Sequence, residues 1–335
     1  MFDVLLVFSI VHSTIAIIGM IFNSVLIYLA LFKTPQVIRS YTTLIVNFAL
    51  TDFFACFFDY FVQQRIIPVG WSLSYVSSGP CKFISSNACY VGYSLMLHFF
   101  AHSLWSLLLS FSYRYYILFY PAPRKLTLIV IVILIYQPSL LQWISFLWAQ
   151  DDTKDVRAGL HKQFPNYTFH EDQIVTGTLD IRSFSAMYTI LHMTLPVSPV
   201  YACILILRNR IIKRLSEQTS SLSQKTKKLH KQLLMALSYQ ALLPGFFVIA
   251  VSSYALGQLD IYHHPFFEYL TFSSIVFIPF LSPVSSFIFV TPYRQFLAGL
   301  FFKVTKVKPS YTQNNSTSFH TASAVTYRRS TVDFG

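Results

Sequence analysis

The residues able to do ionic or redox chemistry in this chain are few and widely spaced. Asp52 and Asp59 stand two helical turns apart, so on a helix they share one face. Two turns also separate them by about 10 Å, too far for an acid–base dyad. His98 and His102 are four apart, a spacing that can present two imidazoles to one metal. No Glu or Cys nearby completes a ligand set, and the surrounding Ser residues offer hydrogen bonds instead. The pair therefore points to polar contacts with neighbouring helices or with a ligand, and neither a metal nor a cofactor is expected. Cys81 and Cys89 would lie about 12 Å apart on one helix, beyond disulfide reach. They can pair only if 79–87 forms an irregular loop. No P-loop, His-Glu-x-x-His, Gly-x-Ser-x-Gly or Gly-rich dinucleotide turn occurs, so no catalytic residue is assigned and no enzyme is expected.

The elements that must hold these residues follow from the charges. Only 11% of the 335 residues are charged, against about 25% in soluble domains, and 54% are apolar. Such a chain cannot cover a water-facing surface. Long stretches almost free of charge predict spans at about 4–32, 41–64, 84–113, 126–149, 184–207, 233–257 and 269–291, each long enough for the ~20 apolar residues a bilayer crossing needs. The expected fold is an all-α bundle of seven transmembrane helices over 1–293, with membrane lipid as its solvent.

Of the 25 Lys and Arg, 19 fall in loops that share one side if the N-terminus lies outside and the C-terminus in the cytoplasm, which is the orientation this bias predicts. The net charge of +12 is then positional, and no nucleic-acid partner is expected. The first span reads as an uncleaved anchor, because no basic segment precedes it. Residues 294–309 read as an interfacial amphipathic helix with Phe296, Leu297, Leu300 and Phe301 on its apolar side. Residues 310–335 read as a disordered Ser/Thr-rich tail. The sequon at Asn166 falls in the longest outer loop, where glycosylation is permitted, whereas those at Asn314 and Asn315 fall on the cytoplasmic side.

Ionisable groups inside spans are functional candidates. Asn23 and Ser282 are plausible partners for Asp52, either as a polar switch or as a structural hydrogen-bond knot. Asp59, nearer the outer surface, reads as a hydrated position, and His12 and His192 read as packing positions. A ligand entering from outside would rest among the third, fifth, sixth and seventh spans, with His98, His102, Tyr188 and Tyr254 as pocket candidates. Pro196, Pro199, Pro244, Pro279 and Pro283 interrupt backbone hydrogen bonds and are candidate kinks.

Ser112-Tyr113-Arg114-Tyr115-Tyr116 at the end of the third span resembles the Asp/Glu-Arg-Tyr box of rhodopsin-like G-protein-coupled receptors, with Tyr113 where that class has an acid. Asn23 and Leu50-Thr51-Asp52 resemble its anchors in the first two spans. Ser282-Pro283 stands where Asn-Pro would, and the second outer loop lacks the Cys that usually bridges to the third span. A closer resemblance is to the nematode serpentine receptor class delta chemoreceptors. It runs through Asn47-Phe48-Ala49-Leu50-Thr51-Asp52, Val62-Gln63-Gln64-Arg65-Ile66-Ile67-Pro68, Gly79-Pro80-Cys81, His102-Ser103-Leu104-Trp105-Ser106, Gln240-Ala241-Leu242-Leu243-Pro244 and Pro292-Tyr293-Arg294. This resemblance implies a chemosensory receptor in the cell membrane, including the ciliary membrane of sensory neurons. Its implied partners are a small-molecule ligand and a heterotrimeric G protein, the latter contacted through Arg114, Tyr113 and Tyr115. The alternative is a ligand-gated channel or a transporter with seven spans.

Overall fold

The computed structural model describes residues 4–34, 41–165, 167, 173–218, 235–236 and 238–305. Among them, seven helical segments are long and apolar enough to cross a bilayer: Leu5–Phe32, Thr42–Val62, Ser86–Tyr116, Lys125–Ala149, Phe184–Glu217, Ser238–Gln258 and Pro265–Phe289, spans 1 to 7. All seven belong to a compact unit, Met1–Leu297; a second unit begins at Ala298, and its described part is helical to Thr305. Asn166, Asn314, Asn315 and the 310–335 tail lie outside the described residues.

Proline sets where the spans break. Span 5 is parted at Leu195–Pro196, span 6 loosens through Ala241–Pro244, and span 7 divides at Val276. A proline has no N–H, so the carbonyl four residues before it loses its helical partner. Pro283 frees the carbonyl of Pro279 in this way, and Asn23 of span 1 donates Nδ2 to that oxygen at 2.9 Å. The same amide also donates to the Gly19 carbonyl at 2.9 Å. Span 1 thus satisfies the broken backbone of span 7 within the apolar layer. Gly19 permits the close approach of span 2, since a Cβ there would collide with Cys56 Sγ.

A three-stranded antiparallel sheet, which hydrophobic patterning does not reveal, covers one end of the bundle. Strands β1 (Gln64–Val69) and β2 (Ser72–Ser77) form a hairpin between spans 2 and 3. Gly70 supplies the left-handed φ of 61° that its two-residue turn requires. β3 (Ile174–Thr178), between spans 4 and 5, pairs with β2. Ile66, Leu73 and Tyr75 face the bundle. Ile67, Val76 and Val175 face the other way, packing with Val156 and Leu160 of the helix Thr153–Gln163. With both faces covered, β1 and β3 do not alternate apolar with polar, and β2 does so only over Ser72-Leu73-Ser74-Tyr75, so the period-two signal is short. Pro68 is tolerated because β1 is an edge strand.

Two further links tie this end together. Cys81, in the 3-10 turn Pro80–Phe83, is bonded to Cys89 in the first turn of span 3, with their Cα atoms 5.0 Å apart. The segment between them is a compact turn capped by Ser85, whose hydroxyl accepts from Ala88 N at 3.0 Å. Arg65 of β1 forms a buried ion pair with Glu268 of span 7, Nη2 to Oε2 being 2.6 Å. Tyr167 donates to the other Glu268 oxygen at 2.8 Å, and the guanidinium lies over the rings of Tyr167 and Tyr269. Burial and the adjacent carboxylate push the Tyr167 pKa up.

After span 7 a helix runs Thr291–Thr305. Phe296 and Leu297, expected on an interfacial apolar face, instead pack with Leu26, Leu29, Ile45 and the buried Tyr293. Residues 306–309 of the expected amphipathic helix lie outside the described set.

Candidate functional site

Polar layers cross the bundle between the sheet and Arg114. Nearest the sheet, Asp59 is fully buried rather than hydrated. His12 of span 1 donates Nδ1 to its carboxylate, at 2.8 and 3.0 Å from the two oxygens, and Ser273 of span 7 lies 2.9 Å from His12 Nε2. The expectation that Asp59 is hydrated and His12 merely packed fails because spans 1 and 2 pack together and bring these residues, 47 positions apart in sequence, into contact. Gln63, which ends span 2 at a left-handed φ of 44°, is held beside them by Ser9 and Ser13 of span 1.

In the middle layer, Asp52 accepts from Ser103 of span 3 at 2.8 Å. Its second oxygen lies beside the Ser282 hydroxyl without a well-formed hydrogen bond between them. Asn23 does not bond to Asp52, because both its donors serve backbone carbonyls.

His98 and His102 turn towards neighbouring helices rather than into an open site. His98 meets the Ser139 carbonyl at 2.8 Å and the Tyr136 hydroxyl at 3.0 Å, both on span 4. His102 bonds Ser106 at 3.1 Å and packs its ring 4.1 Å from that of Tyr136. Tyr188 donates to the Pro138 carbonyl at 3.2 Å and stacks on His192. His192 in turn meets Gln142 at 2.6 Å and accepts from Trp105 Nε1 at 3.3 Å, so it links spans 3, 4 and 5. Among the described residues no group of three or more His, Cys, Asp or Glu could hold a metal.

Open space lies elsewhere. Beneath the sheet is a cavity of about 70 Å³ among spans 3, 5, 6 and 7, closed over by Ile66, Leu73 and Tyr75. Of the four pocket candidates Tyr254 alone lines it; His98 and Tyr188 bond to span 4, and His102 bonds to Ser106 and Asn47. Sequence reasoning missed Tyr75, Tyr93 and Phe146, since aromatic residues are so common here that none is distinguished by type. At the other end a cavity of about 430 Å³ surrounds Arg114. Arg114 donates to Gln240 Oε1 of span 6 at 2.9 Å and to the Tyr41 hydroxyl at 2.7 Å, with Tyr41 also under the guanidinium. Gln240 donates onward to Ser285 of span 7 at 2.9 Å. Tyr113 is buried against Tyr41, Leu44 and Leu128, and it also lines the Arg114 cavity. Tyr115 is half-buried beside Phe119.

The family profile described as Serpentine type 7TM GPCR chemoreceptor Srd matches residues 8–299. The chain belongs to the Srd family. Two Srd relatives from Caenorhabditis elegans are similar along most of their length. Serpentine receptor class delta-19 is 44% identical over 292 residues and Serpentine receptor class delta-18 is 42% identical over 291, each match covering 86% of both chains. The crystal structure of squid rhodopsin aligns over 90% of this chain and 87% of its own with a TM-score of 0.55. At 15% identity that likeness concerns the fold alone. This Srd protein is a multi-pass, seven-transmembrane receptor. Within the Srd bundle, Gln240 and Tyr41 are the Arg114 partners that sequence reasoning left without a role. An amide in a long uncharged span was the available signal for Gln240; Tyr41 carried none.

Proposed function

We propose that this Srd receptor detects a small external chemical in the cavity beneath the sheet and signals to a heterotrimeric G protein at the Arg114 end. The observation that carries the proposal is the opposition of the two sites. A small, mainly apolar cavity lies at one end, and at the other a cation held by neutral partners opens on a large cavity. The excess of Lys and Arg in the loops on the Arg114 side supports an N-terminus outside and a cytoplasmic C-terminus. In that orientation Asn166 is available for glycosylation, and the membrane of sensory cilia is a fitting location.

Ligand must bind one helix arrangement better than another to shift the population. The breaks of spans 5, 6 and 7 give the helices places to bend, and Asp52 with Ser282 lies between the two ends as a polar switch. Arg114, with Tyr115 beside it, would meet the G protein once Gln240 and Tyr41 release it. The test is Arg114→Ala in cells carrying a calcium or cyclic-nucleotide reporter. Evoked output should vanish while surface expression stays intact; unchanged output refutes the role, and ligand-evoked current in cells without G proteins points to a channel.

A further inference from the structure

The cavity beneath the sheet has a definite hydrogen-bonding character. Its lining holds no charged side chain. The hydroxyls of Thr189, Thr194 and Thr271 each donate to a carbonyl of their own helix, and that of Tyr254 donates to Gln258. Tyr75 of β2 and Tyr93 of span 3 are different. Both line the cavity, both are at least nine-tenths buried, and their rings are 4.7 Å apart. Their described contacts are ring contacts, and neither hydroxyl has a hydrogen-bond partner among the described residues. A buried hydroxyl without a partner is costly, and a ligand that accepts its proton removes that cost.

We infer that the cavity takes a small, neutral, mainly apolar compound with an acceptor oxygen, of the ketone, aldehyde or ester class, bound through the hydroxyls of Tyr75 and Tyr93. Cations and carboxylates are disfavoured, because no counter-charge lines the cavity to offset their desolvation. Aliphatic amines are protonated near neutral pH and are disfavoured as cations for the same reason. At about 70 Å³ the space admits a few heavy atoms before side chains must move. The inference rests on reading this cavity as the ligand site of the receptor.

The test uses the full chain in lipid nanodiscs, with acetone, 2-butanone and 2-pentanone as probes against the hydrocarbons in which C=CH₂ replaces C=O. Isopropylamine and acetate serve as charged controls, and binding is read by ligand-observed NMR. Each ketone should bind at least about two- to tenfold more tightly than its hydrocarbon, the range for one neutral hydrogen bond. Tyr75→Phe and Tyr93→Phe keep the ring packing, and the double variant should abolish the preference while hydrocarbon binding persists. Equal binding of ketone and hydrocarbon, tighter binding of a charged control, a preference that survives in the double variant, or no binding of any probe overturns the inference. If the ketone preference holds but no probe activates the reporter or competes with an agonist, the cavity chemistry stands and its role as the signalling site falls.

Discussion

At the sheet end, a disulfide, a buried ion pair and a sheet packed on both faces surround a cavity of about 70 Å³. At the Arg114 end, the cavity is about 430 Å³ and Arg114 is held by one hydrogen bond each to the neutral groups of Gln240 and Tyr41 and by the Tyr41 ring beneath it. Removing one partner of a buried ion pair costs about 3–5 kcal/mol, whereas a hydrogen bond to a charged group is worth about 1.5–3 kcal/mol. Arg114 can also exchange its partners for water or for another protein, which Arg65 cannot do without opening the fold. The difference locates rigidity and mobility: the sheet end holds its shape, and rearrangement is cheapest around Arg114.

The strongest test of this contrast is Glu268→Gln, which leaves the Arg65 charge buried without its partner. It should lower stability by about 3–5 kcal/mol, read by thermal unfolding of the solubilised protein and by loss of surface expression. Replacing both residues, Arg65→Met with Glu268→Leu, should recover most of that loss, because no uncompensated charge remains. Next in size is the Cys81→Ser, Cys89→Ser double variant, expected to lose about 2–3 kcal/mol by freeing the unfolded chain. A melting temperature equal to that of the unaltered chain in either case would erase the contrast.

At the opposite end, Gln240→Leu should act on signalling more than on stability. Losing about 1.5 kcal/mol from the Arg114 contacts should raise reporter output without ligand by up to about tenfold. A large fall in melting temperature with silent basal output would mean that this end is as structural as the other. The smallest effect is expected at Asp180, whose hydrogen bond from Arg182 holds its carboxyl below the usual carboxylate range. Any stabilisation is therefore present above about pH 4 and fades as pH falls through the depressed value. Both side chains are exposed, so Asp180→Asn should leave the melting temperature unchanged between pH 5 and 8 as a matter of order of magnitude.

How much of the site was legible varied with how local each signal was. Arg114 stands out in the sequence because its neighbours form a contiguous motif, and the broken spans were legible because proline acts on its own helix. Tyr254, expected among spans 3, 5, 6 and 7 from its place on span 6, does line a cavity there. His98 and His102 were misplaced, since four-residue spacing shows that two side chains share a face but not which neighbour that face meets. Asp59 was misjudged because His12 has no sequence relation to it. The sheet was missed because strands buried on both faces alternate little: β1 and β3 not at all, and β2 over only Ser72-Leu73-Ser74-Tyr75.

The sequence by itself determined the seven apolar spans, the bias of basic residues among the loops, the breaks in spans 5 to 7 and the Srd motifs. These are properties of residues read alone or against near neighbours, where hydropathy, charge and backbone restriction act without reference to the rest of the chain. Tertiary structure alone decided that Arg65 meets Glu268, 203 positions away, that Arg114 meets Gln240, 126 away, and that Tyr75 closes the cavity over span 3. Such partners are selected by packing, which brings together groups whose local patterns are independent and whose contact free energy exists only once the bundle has closed.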